Sequence, residues 1–388
     1  MLPKAAHQAI SLLAQLETCG LRKVVLAPGS RSAPLALGLA SFPGLQVWTN
    51  PDERAAAFMA LGLARAGGEP VLLLCSSGSA GLNMSPAVAE AYHQNLPLLV
   101  ATADRPKRLL NTAEGQTMLQ SYFFEGFLKD RFEPEEHIED WRSVGQEAWQ
   151  IARGPIPGPV HLNLRFDEPL YFEASEIPKT LKPASEPGYP AREKALPNFP
   201  PKLLVLAGQL PRSLAQAIRP MLEQGISQGL NFWGDISSHL WDLSPFGAYP
   251  EWLWNQKNPS QMPEAILVIG GTLLPRRWDA FMQSNPKVRW FQALHFGPSS
   301  PRFHPNTQCL DLALPELMNQ LSLKDWKTID MPKGMPPLPE GWHDLSAAAL
   351  FLQSLKEGDA LHLGNSMSIR YASFLRHILP KSVEVWCN

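Results

Sequence analysis

Short, uninterrupted apolar runs, each handing over to a loop of glycine, hydroxyl or charged residues and then to a helix-length stretch, set the strongest limit on how this chain can fold. Val24-Val25-Leu26-Ala27 leads into Pro28-Gly29-Ser30-Arg31-Ser32, and Leu45-Gln46-Val47-Trp48-Thr49 into Asn50-Pro51-Asp52-Glu53-Arg54. Val71-Leu72-Leu73-Leu74-Cys75 leads into Ser76-Ser77-Gly78-Ser79-Ala80, and Leu98-Leu99-Val100-Ala101 into Thr102-Ala103-Asp104-Arg105-Pro106. Runs that lack a wet face belong inside a parallel sheet covered by helices on both sides. A fifth strand, Val160-His161-Leu162-Asn163-Leu164, closes the block. A helix from about Ala5 to Cys19, with Ile10, Leu12, Leu13 and Leu16 at helical spacing, precedes it and stops at Gly20. The predicted fold class is α/β, built on parallel sheets.

The pattern recurs with Leu203 to Gly208, Gly229 to Trp233, Ala265 to Gly271 and Val288 to Phe291 as strands. A last block holds a strand Ala360 to Leu363, a turn Gly364-Asn365-Ser366, a helix to about Leu379 and a strand Val383 to Trp386. The 38 prolines crowd into two breaks, which makes extended linkers of residues 169–200 and 326–342. The expected organisation is therefore an α/β domain over 1–168, a central α/β domain over 201–325 and the beginning of a third over 343–388. Ending on a strand without its helix, the chain reads as the front part of a longer protein.

Lysine and arginine number 34 against 36 acids, a formal charge of -2, and no long run of one sign occurs. That balance argues against nucleic acid or an anionic membrane as partner. The four cysteines, Cys19, Cys75, Cys309 and Cys387, have no metal-ligand spacing and suit a reducing compartment. No apolar stretch approaches the roughly 20 residues that span a bilayer, and a soluble cytoplasmic protein is expected. Neither GxGxxG nor GxxxxGK[ST] is present, so dinucleotide and P-loop chemistry find no support.

In parallel sheets, ligands collect at the carboxyl ends of the strands. The loops there carry Ser30, Arg31, Glu53, Ser77, Gly78 and Arg105, which places guanidinium forks suited to carboxylates or phosphates beside an acid. Glu53 invites two readings. With Asn50 as N-cap and Pro51 at the first helical position, it completes a capping box. Alternatively it points into an active site, at the mouth of a helix so apolar (Ala55 to Ala64) that burial is expected. Asp104 can pair with Arg105 or a backbone donor and be structural. Gly270-Gly271, followed by Arg276 and Arg277, is a weaker anion-site hint beside the reading of a solvated basic helix.

The segments Ala27-Pro28-Gly29-Ser30-Arg31-Ser32-Ala33-Pro34-Leu35, Asp52-Glu53-Arg54, Ser76-Ser77-Gly78-Ser79-Ala80, Thr102-Ala103-Asp104-Arg105-Pro106 and Gly364-Asn365-Ser366-Met367 resemble, in order and spacing, those of thiamine-diphosphate enzymes. The resemblance is specifically to the 2-succinyl-5-enolpyruvyl-6-hydroxy-3-cyclohexene-1-carboxylate synthase family of menaquinone biosynthesis. It implies a pyrimidine-binding first domain, a Rossmann-like central domain and a third, diphosphate-binding domain. It implies Glu53 as the cofactor-activating acid, with Ser77 and Gly78 also at the cofactor. Ser30, Arg31, Arg105, Gln116, Arg276, Ser366 and Arg370 correspond to positions that bind the substrate carboxylates; Arg276 stands where the family usually has lysine. The family's reaction decarboxylates 2-oxoglutarate and adds the succinic-semialdehyde carbanion to isochorismate. Thiamine diphosphate with magnesium or manganese is the implied cofactor, and a homodimer or homotetramer with sites shared between subunits the implied assembly. No match to the metal-diphosphate motif precedes Asn388, so no metal ligands and no independent turnover are expected of this chain. The rival readings are another thiamine-diphosphate 2-oxoacid decarboxylase or acetolactate-synthase-like enzyme, and a non-catalytic ligand-binding module.

Overall fold

The computed structural model divides into two units, residues 1–190 and 191–388. It describes residues 2–387 except 113, 155, 174–196, 245–252, 254–260, 272, 274–277, 294–306, 311–312, 330–340, 342 and 365. Most of both proline-rich breaks, and the Arg276-Arg277 pair, lie outside the described residues.

The first unit holds a parallel six-stranded sheet: β1 (Lys23–Leu26), β2 (Gln46–Thr49), β3 (Val71–Cys75), β4 (Leu98–Asp104), β5 (Asp130–Phe132) and β6 (Pro159–Arg165), in the order β2-β1-β3-β4-β6-β5. Side chains alternate between its faces. Val24, Leu26, Leu72, Leu74, Leu99 and Ala101 pack with Leu12, Leu13 and Leu16 of α1 (Lys4–Cys19), Leu35 of α2 (Ala33–Leu39) and Trp149 of α6 (Arg142–Arg153). The opposite set, Val25, Leu73, Cys75 and Val100, packs with Ala56, Ala60 and Ala64 of α3 (Glu53–Gly67) and Ala87, Val88 and Ala91 of α5 (Ser85–Gln94). Alanines along α3 and α5 let these helices lie close to the strands. Gly20 ends α1 at φ 115°, a left-handed cap that a side chain would strain.

Three expectations change here. The strand β5 escapes the apolar pattern because its three residues, Asp130, Arg131 and Phe132, form an edge that pairs only with β6. The helix α3 begins at Glu53, two residues later than the capping box requires. Asp52 is the N-cap, accepting from Ala55 N at 2.7 Å, while Asn50 Oδ1 accepts from Asp52 N at 3.0 Å in a turn ahead of the helix. Glu53 is thereby at the first helical position and carries no capping bond. Finally, α3 is buried on one side only: Phe58 and Met59 remain 45% and 40% exposed.

In the second unit β7 (Leu203–Ala207), β8 (Asn231–Gly234), β9 (Ala265–Ile269), β10 (Arg289–Ala293) and β11 (Gln308–Cys309) make a parallel sheet in the order β11-β10-β9-β7-β8. The two-residue β11 is too short for any sequence pattern. Among the described residues, α7 (Arg212–Ser227) packs against α9 (Leu314–Ser322), and α8 (Trp278–Ser284) leads to β10. Next, β12 (Ala360–Leu363) and β13 (Glu384–Cys387) pair in parallel, with α10 (Asp344–Gln353) and α11 (Met367–Phe374) beside them. Ile236 and Trp241 join the core of this last group. Arg376 ties it to the larger sheet by donating to Gly234 O at 2.7 Å and lying 4.9 Å above the Trp233 ring.

The reassigned cap has a measurable consequence. Asp52→Ala removes the bond to Ala55 N and lowers stability by about 1 kcal/mol, whereas Asn50→Ala costs less than half of that in the same urea titration. Equal losses would restore Asn50 as the cap.

Candidate functional site

Because β1 to β4 run parallel, the loops that follow them open on one edge of the sheet. The loops after β1 and β3 touch: a Cβ on Gly29 would stand 2.4 Å from Ser76 Cβ, so only glycine fits there. Gly78, at φ +80°, turns the second of these loops, and a Cβ on it would meet Gln116 Cβ at 3.1 Å. Gln116 itself adopts a left-handed backbone, φ 60°. Ser30 is exposed at the start of a short 3-10 turn, Ser30–Ser32, whose last residue is buried and donates to Gly29 O at 2.9 Å.

Arg105 donates to Ser77 Oγ at 2.5 Å, to Gln116 Oε1 at 3.2 Å and to Gln116 O at 3.4 Å. Three predicted residues are thus joined by one guanidinium. Arg31, half-buried, donates to Phe166 O at 3.1 Å and reaches Glu168 Oε1 at 3.4 Å. Burial, and secondly the positive charge of Arg105, lower its basicity. The Glu168, Asp167 and Asp104 carboxylates work in the opposite direction, so Arg31 feels both the Arg105 charge and the acids around it.

Glu53 is half-buried at the start of α3 and accepts from Asn83 Nδ2 at 3.3 Å; Asn83 ends α4 (Ala80–Asn83). Burial, with the Glu53 carboxylate as a further cause, raises the Cys75 thiol far out of its ionising range, so Cys75 is an inert neutral neighbour of the acid. Of the remaining predicted residues, Arg276 lies outside the described ones. Ser366 and Arg370 belong to the second unit, where Arg370 donates to Ser366 O at 2.7 Å and Ser366 holds φ 82° ahead of α11.

Beneath the loops lies a polar network that reasoning from the sequence missed. Thr102, Asp104, Gln120, His161, Asn163 and Arg165 are all at most 3% exposed. Asp104 and Arg165 are ladder partners at the ends of β4 and β6 and form an ion pair at 2.8 Å. Gln120 accepts from Gly78 N at 2.7 Å and donates to Ala103 O and to Asn163 Oδ1, both at 3.1 Å. Asn163 donates to Asp104 Oδ2 at 3.0 Å, which turns its oxygen toward Thr102, whose hydroxyl donates to it at 3.0 Å. With that proton spent, His161 Nε2 is the donor to Thr102 Oγ1 at 2.8 Å. The signal was present in the sequence as alternating polar residues, His161-Asn163-Arg165, within an otherwise apolar buried strand.

A family model described as "Thiamine pyrophosphate enzyme, N-terminal TPP binding domain" matches residues 7–125. A 2-succinyl-5-enolpyruvyl-6-hydroxy-3-cyclohexene-1-carboxylate synthase from Bacteroides fragilis is 30% identical over 407 residues, covering 98% of this chain and 72% of the relative. Its namesake from Bacteroides thetaiotaomicron is 29% identical over 410 residues with the same coverage. A shorter match, 41% over 170 residues, is to the enzyme of that name from Staphylococcus epidermidis, covering 42% of this chain and 31% of the relative. Among solved structures, the thiamine diphosphate-dependent 4-hydroxybenzoylformate decarboxylase of Rhodococcus jostii RHA1 superposes with a TM-score of 0.65 at 16% identity, over 98% of this chain and 75% of that one, a likeness of fold. No helix among the described residues is long and apolar enough to cross a membrane.

Burial holds His161 well below the ordinary imidazole range, at about 3; the Glu133 charge opposes this and that of Arg131 adds to it. The unfolded chain takes up this proton near 6.5 and the folded one does not, so unfolding gains a proton below that pH. The contribution to stability is complete above pH 6.5 and is lost as pH falls toward 3, by about 1.4 kcal/mol per pH unit. Between pH 7.5 and 5, urea unfolding is expected to show wild type losing about 2 kcal/mol more than His161→Gln. Parallel losses would show that the imidazole is charged in the fold.

Proposed function

Because this chain belongs to the 2-succinyl-5-enolpyruvyl-6-hydroxy-3-cyclohexene-1-carboxylate synthase family, thiamine-diphosphate-dependent transferases of menaquinone biosynthesis, we propose that it acts in decarboxylating 2-oxoglutarate and adding the succinic-semialdehyde unit to isochorismate. The observation that carries this reading is the meeting of unlike chemistry on one sheet edge. A carboxyl group stands at the start of α3, and Arg31 and Arg105 converge within reach of each other's charge. Both substrates are polyanions, and paired arginines are the side chains suited to carboxylates.

The residues present fit the cofactor. Gly29 and Gly78 keep the loops after β1 and β3 free of side chains where they close on Ser76 and Gln116, and Glu53 supplies a carboxyl group beside them on the sheet edge. Glu53, Ser77 and Gly78 are assigned to hold thiamine diphosphate, which supplies a carbon nucleophile when bound. With the cofactor bound, the Glu53 carboxyl would hydrogen-bond a ring nitrogen of the pyrimidine, and Asn83 orients that carboxyl through Oε2. Ser30, Arg31, Arg105 and Gln116 bind substrate carboxylates, and Arg276, Ser366 and Arg370 are assigned to the same task. Magnesium or manganese accompanies the diphosphate. The open apolar side of α3, with Phe58 and Met59, favours a homo-oligomer, and four cysteines in the thiol form favour a cytoplasmic enzyme.

Two substitutions test this in the active enzyme, assayed with thiamine diphosphate, magnesium and both substrates. Glu53→Gln is expected to lower kcat by about 10²- to 10⁴-fold with an unchanged circular dichroism spectrum; near-normal turnover would remove Glu53 from the chemistry. Arg31→Ala is expected to raise the KM of isochorismate by about tenfold or more, since a hydrogen bond to a charged group is at stake, with cofactor affinity by calorimetry little changed. Unaltered KM values for both substrates would sink the carboxylate role.

A further inference from the structure

We propose that the buried Asp104–Arg165 ion pair is the positioning element for Arg105, clamping its peptide from both sides so that its guanidinium faces the anion site; this rests on the reading of Arg105 as a carboxylate binder. Asp104 Oδ1 accepts from the Arg105 amide at 2.7 Å, and Arg165 donates to the Arg105 carbonyl at 2.7 Å. One residue's N–H and C=O are therefore held by the two halves of one ion pair. The pair is almost wholly enclosed, with side-chain exposures of 0% and 3%. It is braced in turn: Arg165 Nε donates to Glu133 Oε1 at 2.5 Å, Glu133 accepts from Ser121, and Asn163 donates to Asp104 Oδ2. Pro106 restricts the Arg105 backbone from the other side.

The clamp leaves the Arg105 charge unspent. Among the described residues the partners of its guanidinium are the neutral Ser77 and Gln116, and its Nε is buried without one. The acids paired nearby are held by other arginines: Asp104 and Glu133 by Arg165, Glu168 by Arg31 and Asp167 by Arg108. Arg165 has the geometry for this work because its planar fork serves three acceptors at fixed angles, where a lysine ammonium on a flexible stem serves them only one way at a time. A pair that served stability alone would have no need to bind both backbone groups of a residue whose side chain enters the site.

The test compares Arg165→Lys, Arg105→Ala and their combination in the full chain as active enzyme. Placement is read by phenylglyoxal labelling of Arg105, followed by peptide mass spectrometry. Labelling is expected to quicken severalfold in Arg165→Lys, and an unchanged rate would overturn the proposal. Action through Arg105 is read by kinetics. Arg165→Lys is expected to raise the substrate KM about tenfold with kcat within about twofold, and the combined variant to be no worse than Arg105→Ala alone. Additive losses would overturn the proposal. If labelling quickens while neither single variant moves KM, the clamp stands and the carboxylate reading of Arg105 falls. Should Arg165→Lys fold poorly because Asp104 loses its partner, Asp104→Asn with Arg165→Met removes both charges together and is judged by the same outcomes.

Discussion

The first unit depends on a sheet that is dry on both faces. With helices covering each side, the side chains of β1 after Lys23, of β3 and of the first half of β4 are buried, so polar groups are accommodated where the strands end. Parallel direction then sends every ending to the same edge. Arg31, Glu53, Ser77 and Arg105 meet there for that reason, although more than 70 residues of chain separate the first from the last. The single intrusion of polar chemistry into the layer is the Thr102, Asp104, Gln120, His161, Asn163, Arg165 set, and its hydrogen bonds form a directed sequence in which each group fixes the orientation of the next.

What could be taken from the sequence follows from the same constraint. Runs such as Val71 to Cys75 identify themselves because complete burial leaves no other explanation, and the loops after them carry the candidate residues by topology alone. The edge strand Asp130–Phe132 has one covered neighbour and polar composition, so no pattern distinguishes it from a loop. The α3 cap was misplaced for a local reason: Asn50 and Asp52 can both accept from a backbone amide two or three residues on, and geometry alone decides which of them adjoins the helix. Its correction bears on function, because Glu53 at the first helical position carries no capping bond to the backbone. The exposed side of α3 was hidden by composition, since Phe58 and Met59 look the same in a sequence whether they meet a core or open surface.

The buried network was legible in part. Polar residues at every second position of β6 signalled one face of unusual character, but the partners on β4 and at Gln120 depend on register, which no local pattern gives. Arg165 is the clearest instance. Its meaning comes from standing opposite Asp104 rather than from any neighbour in the chain.

The contact between Gly29 and Ser76 limits how such a sheet edge can diversify. Two loops from different strands meet where one of them can carry no more than a hydrogen, so lengthening either side chain displaces the other loop. Variation that alters ligand preference is thus confined to the tips of longer side chains such as Arg31 and Gln116, while the backbone beneath them is inherited as a pair. A relative that enlarges one of these two positions would have to rebuild both loops together.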